Sequence, residues 1–278
     1  GDLRISRGRI SMNANDYARS WYSCDEVAGD LELRYFNIDR DKQSIIPFIR
    51  AAQKYNPELT FWTSPWCPPS WMKITGDYPV LSSKFNHMPE KMNYILYGNV
   101  NDKVDPDEMK LVGRRGDKFP RQLATTDYFI QDPRYLQAYA NYFCKFIDAY
   151  KEQGVNIDMV IYQNEAYSYT PYPGCAWTAE GTVRFNRDYL GPTLRQKHPE
   201  VKLYLGTFNT NRVDYVQKIV SDTKLQEYVS GMAFQWEGRE SLPVLRKEHP
   251  EWNYMCSESE CGWGSFDWGA GEHTFELM

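Results

Sequence analysis

The sequence predicts an α/β protein in which strand and helix units repeat around a parallel sheet. Short β-branched or aromatic runs alternate with long helical patterns, the arrangement that a parallel sheet with crossover helices requires. The clearest helical stretch opens on an acid followed by proline, a helix-start signal. With 278 residues, 42% of them hydrophobic, the chain can bury a substantial core without a disulfide or metal staple.

Six strand candidates follow in order: residues 8–13, 59–64, 158–163, 202–207, 229–235 and 253–257. A helical stretch is expected after each. The clearest begins at Asp132-Pro133 and ends at Gly154, with Leu136, Tyr139, Phe143, Phe146, Ile147 and Tyr150 spaced by three and four residues along one face. A second starts at Thr178, carries Val183, Tyr189, Leu190 and Leu194, and fades near His198-Pro199. Residues 76–131 break the rhythm with a charged run at 102–118. They also hold Tyr78, Phe85, Tyr94, Tyr97, Phe119, Tyr128 and Phe129, too many aromatics for a solvated spacer. An ordered loop insertion at 76–131, inside a single domain spanning 1–278, is expected.

Charge and composition exclude several function classes. The formal charge is −5 and no basic cluster is long enough to track a phosphate backbone, which argues against nucleic acid. Apolar runs fall far below the roughly 20 residues of a transmembrane segment. Six cysteines lie far apart without a C-x-x-C, and His87, His198, His249 and His273 have no partner spacing, so no metal site is expected. Cys144 and Cys256 read as buried free thiols on a helix face and in a strand. Nine Trp and 21 Tyr exceed what a core alone calls for and suggest rings on which a ligand stacks. The chain opens on Gly1 and closes on Glu276-Leu277-Met278 without a turn residue, as a fragment would.

In parallel α/β proteins the chemistry sits at the C-terminal ends of strands. Those ends read Asn13-Ala14-Asn15-Asp16, Ser64-Pro65-Trp66, Asn164-Glu165, Phe208-Asn209, Trp236-Glu237 and Glu258-Ser259-Glu260. Carboxylates, amides and tryptophans suit carbohydrate, because indole packs on the apolar face of a pyranose while Asn, Asp and Glu take its hydroxyls. Glu165 and Glu258 close strands three apart, and in a sheet curled into a barrel they can face each other. Two carboxyls ~5–5.5 Å apart are what a retaining glycosidase uses; a rim ion pair with Arg is the other reading of either residue. Trp62 is expected to pack inside its strand, whereas Trp71, Trp177 and Trp263 could pack or line subsites.

Four segments together resemble glycoside hydrolase family 30, the family of glucosylceramidase and β-1,6-glucanases. Arg9-Ile10-Ser11-Met12 with Asn15-Asp16 is similar to the family's R-x-x-M strand. Ser64-Pro65-Trp66-Cys67-Pro68-Pro69-Ser70-Trp71-Met72-Lys73 resembles its S-P-W-x-x-P-x-W-[LM]-K signature. Gln163-Asn164-Glu165 with Tyr172-Pro173-Gly174-Cys175 resembles its N-E strand and Y-P-x-x-C loop, and Ser257-Glu258 its [ST]-E strand. The resemblance implies a (β/α)8 TIM barrel with an accompanying β-sandwich. The two glutamates fall on visible strands three and six where the family uses four and seven. The first and last strands and the sandwich are therefore expected to be absent here, leaving an open and poorly stable barrel.

Carried over, the resemblance implies Glu165 as general acid/base and Glu258 as nucleophile of a retaining β-glycosidase. Asn164 would bond the sugar 2-hydroxyl, Asp16, Trp66 and Trp236 would hold the glycone, and Arg9 would lie beneath the nucleophile. The substrate would be a β-linked glucoside or β-glucan, with no metal or organic cofactor. An extracellular or periplasmic location and a place in sphingolipid or glucan breakdown follow from the resemblance only. Ala166 replaces the family's proline after N-E. Glu237 stands after Trp236 where glucosylceramidase has Tyr, with Gln235 in place of its His, which favours glucan over ceramide-linked substrates. Period-two alternation puts Glu260 on the same face as Glu258; the family register selects Glu258 and leaves Glu260 for a hydroxyl or an Arg. A β-xylanase of the same clan and a catalytically silent carbohydrate-binding protein are the alternatives.

Overall fold

The computed structural model describes residues 5–84, 86–89, 126–259, 268–269 and 272. Six strands, β1 (Arg7–Met12), β2 (Thr60–Pro65), β3 (Ile157–Ile161), β4 (Lys202–Phe208), β5 (Val229–Gln235) and β6 (Asn253–Glu258), form one parallel sheet. Their spatial order is their sequence order, the simple right-handed stacking of consecutive βα units. The sheet curls: the Arg9 guanidinium on β1 reaches the Glu258 carboxylate on β6. The described strands are thus part of a (β/α)8 barrel, open on one side.

Helices cover the outer face. They are α1 (Ile45–Gln53) after β1, α2 (Pro133–Glu152) before β3, and α3 (Ala179–Phe185) and α4 (Gly191–Lys197) after β3. The series ends with α5 (Val213–Val220) and α6 (Thr223–Gln226) after β4 and α7 (Leu242–Glu248) after β5. Asp132 caps α2 by accepting from the Arg134 N–H, and all six predicted face residues of this helix are buried. Thr178 caps α3 through the Gly181 N–H. The predicted second helix is α3 and α4 joined by a π-turn at Asn186–Leu190, so the run continues with one wide turn.

The alternation of faces sorts the core into two layers. Trp62, Met159, Ile161, Tyr204 and Ala233 point into the barrel, while Phe61, Val160 and Leu203 point out to the helices. Much of the aromatic content that suggested ligand stacking lies in this outer layer. Phe129 stacks on Tyr139 at 4.9 Å and on Trp177 at 5.1 Å, and Trp177 stacks on Phe185 at 5.4 Å. Trp177 is fully buried and lines no subsite. Cys256 also departs from expectation: it is exposed, because among the described residues β6 has a strand neighbour on one side only, and α7 meets its outer face at Tyr254, two residues earlier. Cys144 is buried as expected. Most of residues 76–131, with Phe85, Tyr94, Tyr97 and Phe119, lies outside the described residues, as do Glu260, Trp263 and His273.

Where the insertion leaves and rejoins the barrel it is tied down. The Lys73 ammonium, buried, donates to the carbonyls of Tyr78, Pro79 and Gly174, each at 2.8 Å. The last residue of the S-P-W signature therefore clamps the start of the insertion to the Tyr172-Pro173-Gly174-Cys175 loop. Among the described residues no helix is long and apolar enough to cross a membrane, and no group of three or more His, Cys, Asp or Glu is placed to hold a metal ion.

Candidate active site

The site is built at the C-terminal ends of the strands. Past the end of β3 the chain continues as a ribbon between its neighbours: the Asn164 N–H donates to Pro65 O at 2.7 Å, and the Thr207 N–H donates to Gln163 O at 2.9 Å. Glu165 then turns with φ +47°, and Trp236 after β5 turns with φ +52°. Residues with a Cβ rarely adopt this conformation, and it marks places where local strain is held by the surroundings. The turn at Glu165 is pinned by its N–H donating to the Thr207 hydroxyl at 3.0 Å.

Arg9 ties four strands together. Its Nη1 donates to Glu258 Oε2 at 2.9 Å, and its Nη2 donates to Asn164 Oδ1 at 2.7 Å and to Ser64 Oγ at 2.9 Å. The planar cation lies over Trp62 and Trp66, 4.6 and 4.3 Å from the ring centroids, a geometry in which the ring faces attract it. Burial pulls the guanidinium below its usual value, opposed by Glu258. Trp62 packs inside the strand as expected and also floors Arg9.

The two glutamates meet through an amide. Gln235 Nε2 donates to Glu165 Oε1 at 2.8 Å and lies 3.4 Å from both Glu258 Oε2 and Asn164 Oδ1. These two carboxylate oxygens are therefore at most about 6 Å apart, compatible with the ~5–5.5 Å of retaining glycosidases and short of the ~6.5–9.5 Å of inverting ones. Ser257 Oγ donates to Gln235 Oε1 at 2.8 Å, which fixes which way the amide faces, because only its nitrogen can meet three oxygen acceptors.

The glutamates differ in surroundings. Glu258 is ion-paired with Arg9. The Glu165 carboxyl is enclosed, and burial raises it above the ordinary carboxylate range, opposed by hydrogen bonds from Ser168 and Gln235 and reinforced by the Glu258 charge. Asn164 is buried, and its Oδ1 accepts from Arg9, from Thr207 Oγ1 at 3.2 Å and from Gln235. Its Nδ2 has no partner among the described residues and is left as a donor. Asp16 is exposed at the mouth, yet partial burial of its carboxyl raises it, with the Glu258 charge adding and Arg9 opposing. Trp66 is buried, with one face taken by Arg9. Trp236 is 37% exposed, an open indole on the residue that follows Gln235. Glu237 follows it on the exposed 3-10 turn Trp236–Ser241.

The structure thus brings Arg9, Asn164, Glu165 and Glu258 into one hydrogen-bonded set, with Asp16 and Trp66 coupled to it through Arg9, and Trp236 and Glu237 on the rim. Glu260 lies outside the described residues. Sequence reasoning gave no role to Gln235, Ser168, Thr207, Ser64 or Tyr172. Position was the available signal: Ser64 heads the S-P-W run, Gln235 precedes Trp236, and Ser168 stands one turn after Glu165. Tyr172 faces the same acids, its phenol raised by burial and then by Glu165, Asp16 and Glu258. Trp71 is anchored by its indole N–H to Asp25 O at 2.9 Å and packs on Tyr135.

A curled parallel sheet with paired carboxylates at its strand ends is the architecture of a TIM-barrel glycosidase site. The sequence matches the glycosyl hydrolase family 30 TIM-barrel domain over residues 2–84 and 129–275, and the chain belongs to that family. Putative glucosylceramidase 1 of Caenorhabditis elegans is 27% identical over 277 residues, covering 95% of this chain and 45% of the relative. Endo-1,6-beta-D-glucanase neg1 of Aspergillus fumigatus is 25% identical over 216 residues, covering 77% of this chain and 37% of the relative. The solved endo-β1,6-glucanase BT3312 shares the fold with a TM-score of 0.70 at 23% identity, over 98% of this chain and 52% of that one. The chain spans about half the length of the proteins it matches or less.

Proposed function

We propose that the protein is a retaining β-glycosidase acting on β-linked glucosides, of the glucosylceramide or β-1,6-glucan kind. The observation that carries this reading is the shared amide of Gln235, which joins Glu165 and Glu258 at the spacing for double displacement while their surroundings differ. Glu165, raised by burial, protonates the leaving oxygen as Glu258 attacks the anomeric carbon and forms a glycosyl ester. The deprotonated Glu165 then takes a proton from water, which attacks the ester and releases the sugar with retained configuration. Asn164 Nδ2 serves the 2-hydroxyl, and Trp236 with Asp16 and Trp66 hold the glycone.

The two relatives named for glucosylceramidase and endo-1,6-glucanase support the glycone and leave the aglycone open. The Glu237 carboxylate at the rim opposes an apolar ceramide tail and favours a hydroxylated leaving group, so glucan is the preferred substrate. Separate Glu165→Gln and Glu258→Gln substitutions in the full-length protein should each lower hydrolysis of β-1,6-glucan by about three orders of magnitude. A 2-fluoro-glucoside should label Glu258, as seen by peptide mass spectrometry. Full activity of Glu258→Gln, or labelling at Glu260, would overturn the assignment; hydrolysis of xylan alone would overturn the substrate.

A further inference from the structure

Gln235 holds one oxygen of Glu165; the other is held by a different chain of groups. Ser168 Oγ donates to Glu165 Oε2, and Asn209 Nδ2 donates to Ser168 Oγ at 2.9 Å. Ser168 belongs to the turn that Glu165 begins, its N–H donating to Glu165 O at 2.9 Å. Asn209 comes from elsewhere, directly after β4. We propose that Ser168 and Asn209 form a positioning relay that sets the protonation equilibrium of Glu165, an inference that rests on Glu165 being the acid/base.

The direction follows from counting hydrogens. A serine hydroxyl has one proton to give, and Asn209, an N–H donor, occupies an acceptor lobe of Ser168 Oγ. The hydroxyl proton is thereby directed at Glu165 Oε2, where it stabilises the carboxylate and opposes protonation. Burial alone favours the neutral acid, and a group that must act first as acid and then as base works best between these limits. The relay supplies the opposing half from the Ser168 side, as Gln235 does from the other. Asn209 makes a poor packing residue: its Oδ1 is buried with no hydrogen-bond partner among the described residues. An apolar side chain would fill that space without an orphaned acceptor, so the contact to Ser168 is what the amide contributes.

The test is a carbon-13 NMR titration of the Glu165 carboxyl in the full-length protein, assigned by its loss in Glu165→Gln. Ser168→Ala should raise the Glu165 midpoint by at least half a pH unit, Asn209→Leu should raise it by less, and Ser168→Thr, which keeps the hydroxyl, should restore it. The basic limb of kcat/KM should move up with the midpoint. A midpoint unchanged in both Ser168→Ala and Asn209→Leu, or one that Ser168→Thr fails to restore, overturns the relay. Should Ser168→Ala fold poorly, Asn209→Leu carries the same test from outside the turn. The acid/base role is tested separately: if Glu165→Gln hydrolyses an unactivated glucoside as the parent does, that role fails whatever the titration shows. A normal loss in Glu165→Gln with an unmoved midpoint in the relay variants sinks the relay alone.

Discussion

Arg9→Met removes the group on which the site is hung. The guanidinium makes three hydrogen bonds of 2.7–2.9 Å, to Glu258, Asn164 and Ser64, and hydrogen bonds to charged groups contribute ~1.5–3 kcal/mol each. Stranding a buried charge costs ~3–5 kcal/mol. The Glu258 side chain is 34% exposed against 16% for Arg9, so water re-solvates much of the abandoned carboxylate, and Asn164 keeps two other donors. A loss of ~2–3 kcal/mol in folding stability is therefore expected, after that discount. The same ~2–3 kcal/mol missing from the transition state, through a displaced Glu258, lowers kcat/KM by ~30–200-fold. Arg9→Lys restores the charge, but one ammonium cannot hold three acceptors in a plane over two indoles; it should recover most of the stability and less than half of the activity. Urea unfolding and kcat/KM on an aryl β-glucoside, both on the full-length protein, read the two effects separately. An Arg9→Met variant within threefold of the parent in kcat/KM and within ~0.5 kcal/mol in stability would refute the idea that this cation organises the strand ends.

Three further outcomes are expected. Glu165 is raised in the folded state, so its contribution is most favourable below the unfolded carboxylate pKa and is lost as pH rises through the folded one. Glu165→Gln should therefore stabilise the protein more at pH 7 than at pH 4, by thermal unfolding at both pH values. Gln235→Glu replaces a neutral donor with a third carboxyl beside two others; activity at neutral pH should fall at least ~100-fold and the profile should shift to acid, where the new group is protonated and donates again. Lys73→Met leaves the Pro79 and Gly174 carbonyls without the donor they share with Tyr78 and should lower the urea-unfolding free energy by ~3–5 kcal/mol, at ~1–3 kcal/mol for each stranded group plus lost packing.

The strands, and the places of both glutamates at or past their C-terminal ends, were legible because a parallel strand is a local pattern and candidate chemistry is sought where it ends. All six predicted strands are present, within one or two residues at each end. Trp177 and Cys256 were not legible, for opposite reasons. A tryptophan after a strand end reads equally as platform or core, and only the stacking of Phe129, Tyr139 and Phe185 around Trp177 decides. Cys256 sits in a strand of ordinary composition, and its exposure depends on what lies beside β6, which local pattern does not encode. Gln235 was hidden because a neutral amide has no chemistry of its own; its role exists only once the ends of β3, β5 and β6 converge.

That convergence has a cost which the positions of strain make visible. Among the described residues four non-glycine residues have positive φ, and three of them, Asn13, Glu165 and Trp236, follow β1, β3 and β5. Each such turn costs ~1–3 kcal/mol; Glu165 and Trp236 turn at the site itself, whereas Asn13 turns into contact with Cys24 and Tyr142 behind it. Glu165 adds the penalty of an enclosed carboxyl. A mouth built this way is not held by its own contacts alone. The layer behind it is the stacked set of Phe129, Tyr139, Trp177 and Phe185, and Trp177 joins that set to the site, its indole N–H donating to Gln163 Oε1 at 3.2 Å while Gln163 Nε2 donates to Trp66 O at 2.6 Å. Gln163 lies two residues before Glu165, so the aromatic core braces the strained turn directly. The aromatic richness of the chain therefore serves the site chiefly from behind, while Trp62 and Trp66 lie against Arg9 and Tyr172 faces the acids.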